Sequence, residues 1–285
     1  MQTPPPGTDF LPPETFAGQV AVVTGGGTGL GLEISRGLAA LGADVTILSR
    51  DPSHHTALLD EGRERGWAVH ARSLDVRESK DVARVARELL ADKERVDILV
   101  NNAAGNFVCP SERLSFNAWR AVLGIVLDGT FYCSREFGRS MIDGDGGQIL
   151  NIVATYAWTG MPGVVHSASA KAGVLAMTKT LAAEWARHGI RVNAIAPGPF
   201  HSDGAAGNLW PDEEWAETLR AGIPLGRFGT AQEIAAQCLW QLSPHSSWMT
   251  GECLVVDGGG SLPKPWWSPG KRPKRPRSTE EGEGA

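Results

Sequence analysis

The chain has 285 residues, of which 42% are hydrophobic and 21% charged, a balance that excludes a disordered polymer or a coiled coil and suits one large domain. A formal net charge of -5 argues against nucleic acid as the main partner. The four cysteines, Cys109, Cys133, Cys238 and Cys253, form no C-x-x-C pair; this excludes a disulfide framework or a zinc ribbon and points to a reducing compartment.

Residues 1–16 are rich in proline and are expected to be extended, outside the folded unit. They hold no basic residue, unlike a targeting peptide, and no apolar run reaches the roughly 20 residues of a membrane span; a cytoplasmic location is expected. Short apolar runs then alternate with longer amphipathic ones. Strands are expected at 20–23, 44–49, 67–72, 98–100, 148–153, 191–196 and 253–256. Helices are expected at 30–41, 82–90, 117–141 and 163–187. Strands so apolar, separated by helices, need cover on both faces, which implies a doubly wound parallel α/β sheet of about seven strands. One domain spans 17–262. Beyond it, residues 263–285 carry a basic run between prolines and then acids, the composition of a solvated, disordered tail.

After the first strand comes Thr24-Gly25-Gly26-Gly27-Thr28-Gly29-Leu30-Gly31, leading into a helix. Glycines there let the backbone turn tightly and approach a pyrophosphate, which meets the N–H groups of the helix start. Strand before and helix after is the context that turns a glycine string into a dinucleotide site. The second strand ends Ser49-Arg50, a hydroxyl and a guanidinium where an NAD site offers an acid to the ribose; this suits a 2′-phosphate and therefore NADP(H). Asp51, one residue on, keeps the alternative open. Asp75, after the third strand, could meet the adenine amino group or simply cap the next helix.

Thr24-Gly25-x-x-x-Gly29-x-Gly31, Asn101-Asn102-Ala103-Ala104-Gly105, Pro197-Gly198-Pro199 and Asp257-Gly258-Gly259 occur in this order. Over nearly its whole length the chain therefore resembles the short-chain dehydrogenase/reductase superfamily. It departs from that pattern at the catalytic centre. Members carry Tyr-x-x-x-Lys; here Lys171 is present, but Ser167 stands four residues before it, and Val126 takes the place of a catalytic Asn.

Tyr156, one of only two tyrosines, is expected at the end of the fifth strand, where the usual fold has a serine. This arrangement resembles the mitochondrial-type 2,4-dienoyl-CoA reductases. Asn102 to Phe107, Glu112 to Trp119, Ser167 to Val174 and Leu11-Pro12-Pro13 look like that family's segments. The resemblance implies an NADPH-dependent enzyme in which Tyr156 and Asn106 donate to the thioester oxygen. It further implies that Lys171 holds the nicotinamide ribose, lowering the pKa of nearby acids, and that Ser167 assists. Gly25, Gly27, Thr28, Gly29, Leu30, Gly31, Ser49, Arg50, Asp75, Asn102, Ala103 and Pro197 to Phe200 (with Gly198 and Pro199) would hold the cofactor. Arg77, Phe107 and Ser115 would touch the acyl-CoA, and relatives assemble as homotetramers.

Plainer readings stand beside these. Tyr156 could be a packed loop aromatic and Asn106 a turn cap. Tyr132 is expected in the core or at a subunit interface, and Trp210, Trp215 and Trp248 are expected to pack. His166 beside Ser167 is not a nucleophile–base pair, because adjacent helix residues diverge. No Lys or Arg lies between His201 and Leu219, so the CoA phosphates lack a partner there unless His201, Arg77 or another subunit supplies one. A short-chain reductase of another small carbonyl or enone, or a cofactor-binding module without catalysis, are the alternative functions.

Overall fold

The computed structural model describes residues 10–201 and 213–262. Residues 1–9, the tail 263–285 and Trp210 lie outside them. Seven parallel strands form one sheet in the order β3-β2-β1-β4-β5-β6-β9. Their spans are β1 Val20–Thr24, β2 Asp44–Ser49, β3 Val69–Ser73, β4 Ile98–Asn101, β5 Gly147–Ile152, β6 Ile190–Pro197 and β9 Cys253–Val256. Two short strands, β7 (Phe200–His201) and β8 (Gly229–Thr230), pair separately in parallel beyond β6. The expected doubly wound α/β fold is the one observed.

Strand periodicity sorts the core into two layers. Ala21 and Val23 of β1 face a cluster with helices α1 (Gly29–Ala40) and α9 (Ala231–Leu242). Val20 and Val22 face the other cluster, with α3 (Ser79–Lys93), α5 (Gly129–Asp143) and α7 (Val165–Trp185). Both faces being covered explains why the strands read as unbroken apolar runs. Packing reaches back before residue 17. Leu11 and Phe16, expected outside the domain, are buried in the first cluster, Phe16 with no exposure.

The long helix expected over 117–141 is interrupted. α4 (Phe116–Leu123) passes through a π-helical turn at Gly124–Asp128 into α5. Val126 sits in that turn, buried against Val153, Ala170 and Val174. Unpredicted helices occur at α2 (Thr56–Arg65), α6 (Tyr156–Thr159), α8 (Glu213–Ala221) and α9. Trp248, expected to pack, is fully exposed. Tyr132 is half-buried against the second cluster, as expected.

A buried polar chain ties the middle of the sheet to the helices beneath the site. Asn101 Nδ2 on β4 donates to Ser134 Oγ (3.0 Å) and to Asn151 Oδ1 on β5 (2.9 Å). Asn151 Nδ2 donates to Thr178 Oγ1 on α7 (2.9 Å).

Candidate active site

The strand order reverses between β1 and β4, and the cleft opens at their carboxyl ends, the place where open α/β sheets bind ligands. Thr24 Oγ1 accepts the N–H groups of Asn102 and Ala103, each at 3.0 Å, and Asn102 Nδ2 donates to the Thr24 and Gly25 carbonyls. The glycine turn is thereby fastened to the start of the β4 loop. α1 begins just after Thr28, whose side chain caps nothing, and its first turn holds no acid. Its first N–H groups therefore remain available to an anion.

The turn leaves no room for side chains. A Cβ at Gly31 would overlap the Gly25 carbonyl oxygen and come to 2.5 Å from Asn102 Nδ2, so backbone would have to move. Gly31→Ala is accordingly expected to weaken binding of a nicotinamide dinucleotide at least about tenfold and to destabilise the fold by about 1–3 kcal/mol. Calorimetric titration and thermal melting check both.

At the end of β2, Ser49 is buried and Arg50 exposed. Among the described residues the Arg50 guanidinium has no hydrogen bond or ion pair. Asp51 turns its carboxylate onto Ser53 N–H (2.9 Å), capping a short 3₁₀ turn at Pro52–His55. That contact and the neighbouring Arg50 hold its carboxyl below the usual range. Asp75 is paired in a fork with Arg77, Nε to Oδ1 at 2.9 Å and Nη2 to Oδ2 at 2.5 Å. A guanidinium without a partner among the described residues, an uncapped helix start and a glycine cradle are features that suit a phosphorylated dinucleotide.

Deeper in the cleft, Tyr156 opens α6, four residues beyond β5 and not at the strand's end. Its hydroxyl lies 3.1 Å from Ser167 Oγ on α7 and accepts from Asn106 Nδ2 at 3.4 Å. Asn106 Oδ1 accepts the Phe107 N–H, which fixes the amide's orientation. Burial pushes the Tyr156 phenol up, partly offset by Ser167 and Asn106. Desolvation is the largest cause of that shift, and Lys171 is not among the groups that offset it. Lys171 is itself buried; desolvation lowers its ammonium to about 8, and Nζ donates to the Ile152 carbonyl.

A cavity of about 720 Å³ brings Leu30, Asn102, Asn106, Tyr156, Lys171 and Pro197 to Phe200 onto one wall system. Ser167 stands behind Tyr156. Arg77, Phe107 and Ser115 do not line the cavity: Arg77 is taken up by Asp75, Phe107 lies 4.4 Å from the His166 ring, and Ser115 caps α4 by accepting Ala118 N–H. Among the described residues neither nitrogen of buried His166 has a hydrogen-bond partner, so it is not paired with Ser167. Sequence reasoning missed Val108, Met161, Val164, Leu219 and Ile223 on the cavity wall, and it assigned Trp215 no place there. Val108 follows directly on the Asn102 to Phe107 segment; Met161 and Val164 come from the α6–α7 connection, and Trp215, Leu219 and Ile223 from α8 and the residues just after it. His201 is exposed, with its ring 5.2 Å from Phe228, and much of the 201–219 segment lies outside the described residues. A second cavity, of about 680 Å³, lies at the amino end of the sheet beside Asp97 and Arg191, away from the residues singled out above.

Residues 25–261 match the family model described as enoyl-(acyl carrier protein) reductase. A probable 2,4-dienoyl-CoA reductase of Bacillus subtilis, named as (2E)-enoyl-CoA-producing, is 44% identical over 85% of this chain and 96% of its own. A peroxisomal 2,4-dienoyl-CoA reductase of Pongo abelii, named as (3E)-enoyl-CoA-producing, is 39% identical over 93% of this chain and 94% of its own. Among solved structures, a gluconate 5-dehydrogenase from Burkholderia cenocepacia in complex with NADP and tartrate is 32% identical. It superposes with a TM-score of 0.82, covering 86% of this chain and 96% of that one.

Proposed function

The chain belongs to the short-chain dehydrogenase/reductase superfamily and is an oxidoreductase, and from that premise we propose that it reduces 2,4-dienoyl-CoA thioesters to 3-enoyl-CoA with NADPH. The observation that carries this reading is the cluster of Tyr156, Asn106 and Ser167 in a cleft shared with Lys171. An ordinary ketone reductase needs its tyrosine one helical turn from the lysine, to protonate an alkoxide. Here two hydrogen-bond donors converge instead, which suits an oxygen that takes up charge without being protonated.

NADPH, when bound, supplies a hydride, which would reach C5 of the conjugated chain. The 25–31 turn and the start of α1 hold its pyrophosphate, with Asn102 and Ala103 alongside. Ser49 and Arg50 take the 2′-phosphate, and Asp75 offers an acceptor to the adenine. Lys171 holds the nicotinamide ribose, and Pro197 to Phe200 border the ring. Val108, Met161, Val164, Leu219 and Ile223 give the acyl chain an apolar wall.

As C5 gains hydride, an electron pair moves through the conjugated system to the thioester oxygen. The Tyr156 hydroxyl and the Asn106 amide donate to that oxygen, each contributing about 3 kcal/mol of barrier lowering. The raised pKa of Tyr156 keeps its proton in place. The titratable groups among the described wall residues are Tyr156, Lys171 and Asp257, and the Asp257 carboxylate accepts the Gly259 and Ser261 N–H groups. With no further acid at hand, the proton comes from solvent at Cα, leaving the 3-ene. Protonation at C4 would leave the 2-ene, the product in the Bacillus relative's name.

The same reading gives a reductase domain of 17–262 between an N-terminal extension and a charged tail, acting in unsaturated fatty-acid oxidation in the cytoplasm. Among the described residues no helix is long and apolar enough to cross a membrane. A homotetramer is the expected assembly; exposed Phe116 on α4 and Phe131 on α5 are apolar side chains that assembly could cover.

Mixing the protein with NADPH and a short 2,4-dienoyl-CoA is expected to consume both absorbances together, with the 3-enoyl product identified by NMR. Turnover of small ketones or enones alone would replace this reading with another short-chain reductase. Tight NADPH binding without turnover of either would leave a cofactor-binding module.

A further inference from the structure

We propose that His55 is a positioning residue for cofactor choice, holding the Ser49 hydroxyl so that it donates to the 2′-phosphate of NADPH. The inference rests on the NADPH reading above and adds a residue that none of the sequence motifs contains. His55 closes the short turn after β2 and is 8% exposed. Its Nε2 lies 2.8 Å from Ser49 Oγ. Ser49, also 8% exposed, donates to the Asp51 carbonyl oxygen at 2.9 Å.

A hydroxyl has one proton and two lone pairs. Ser49 commits its proton to Asp51 O, so its contact with the imidazole is an acceptance. His55 therefore carries a proton on Nε2, and the tautomer follows from the partner. The ring thus fixes the Ser49 rotamer without consuming the serine's donor. The Asp51 carbonyl already accepts the His54 N–H at 3.2 Å. A phosphate dianion beside the Arg50 guanidinium is a stronger acceptor than that shared carbonyl. Ser49 can turn its proton to the phosphate while His55 continues to hold its oxygen and to polarise the O–H bond. The 2′-hydroxyl of NADH offers no such charge, so the arrangement acts on one cofactor only. The turn is also anchored from below. The His54 carbonyl occupies the space a side chain at Gly27 would need, so His55 and the phosphate-binding turn are held in one register.

Steady-state kinetics of the full chain with NADPH and NADH separate the outcomes. Wild type is expected to show a KM for NADPH at least about tenfold below that for NADH. His55→Leu is expected to raise KM for NADPH about tenfold, the scale of one hydrogen bond to a charged group, with kcat and the KM for NADH unchanged. His55→Gln, which keeps an N–H donor, should recover part of the loss. In a Ser49→Ala background, His55→Leu should add nothing, because the two residues act through one bond. Equal KM values for both cofactors in wild type would remove the NADPH reading and this inference with it. An NADPH-preferring wild type in which His55→Leu weakens both cofactors alike, or still acts without Ser49, would overturn the relay alone.

Discussion

Tyr156→Phe is expected to lower kcat by about 10²–10³-fold while leaving the Kd for NADPH within about twofold. The phenol is the one group that touches both Ser167 and Asn106. On the proposed reading, removing it takes away a donor aimed at the oxygen where charge develops, while the Asn106 amide stays held through its Oδ1 by the Phe107 N–H. The cost should fall on kcat, because hydrogen bonds to a developing oxyanion strengthen only as the charge appears. Phenylalanine keeps the ring and its packing, so loss of fold is not a competing cause. Tyr132→Phe is the control: that ring is half-buried among helix side chains, and less than a twofold change is expected. Rapid-mixing measurements of hydride transfer in both variants decide the matter. Equal rates would overturn the roles assigned to the two tyrosines.

The second large effect concerns charge. kcat/KM is expected to fall as pH rises through about 8, where buried Lys171 loses its proton. The sign follows from desolvation: burial disfavours the ammonium, so the neutral amine takes over well below the ordinary 10.5. Stability moves the opposite way. Between about 8 and 10.5 the unfolded chain binds more protons at this residue than the folded one, so its contribution to folding improves as pH rises. Activity lost near pH 9 with no drop in Tm from this group is therefore the signature. Lys171→Met should abolish the alkaline limb, lower kcat/KM by about 10²-fold and raise Tm, since an apolar chain replaces a buried cation whose one hydrogen-bond partner among the described residues is the Ile152 carbonyl. A pH profile unchanged in the Met variant would show that another group titrates.

Much of the frame is legible in the sequence because local and tertiary preferences agree. β2 and β9 have the bounds their apolar runs predict, with Gly42 turning before one and Gly251 before the other. α9 escaped notice although Thr230 and Glu233 form a capping box, a signal available without coordinates. α2 is short and strongly charged, its apolar stripe reduced to little more than Leu58, so periodicity offers no handle. The π-helical turn around Val126 has no sequence signature, because it is set by how α4 and α5 meet α7. At the site, Leu30, Asn102, Asn106, Tyr156, Lys171 and Pro197 to Phe200, all named from the sequence, line one cleft. Arg77, Phe107 and Ser115 do not, because each has a nearer partner that spacing cannot reveal: Asp75, His166 and the start of α4. Tyr156 reads as strand-terminal in the sequence, yet a helical turn carries it toward α7.

The polar chain from Ser134 through Asn101 and Asn151 to Thr178 constrains how the sequence itself can drift. Each amide there is buried, and an amide left alone in apolar surroundings costs more than the bond it made. A single change at one of these positions therefore strands its neighbour, whereas an exchange of both partners can be nearly neutral. β4, β5 and α7, which lead to Asn106, Tyr156 and Lys171, are joined through those amides. Substitutions remote from the cleft thus reach the chemistry in pairs, and the most cautious evolutionary step at this depth of the molecule is a double one.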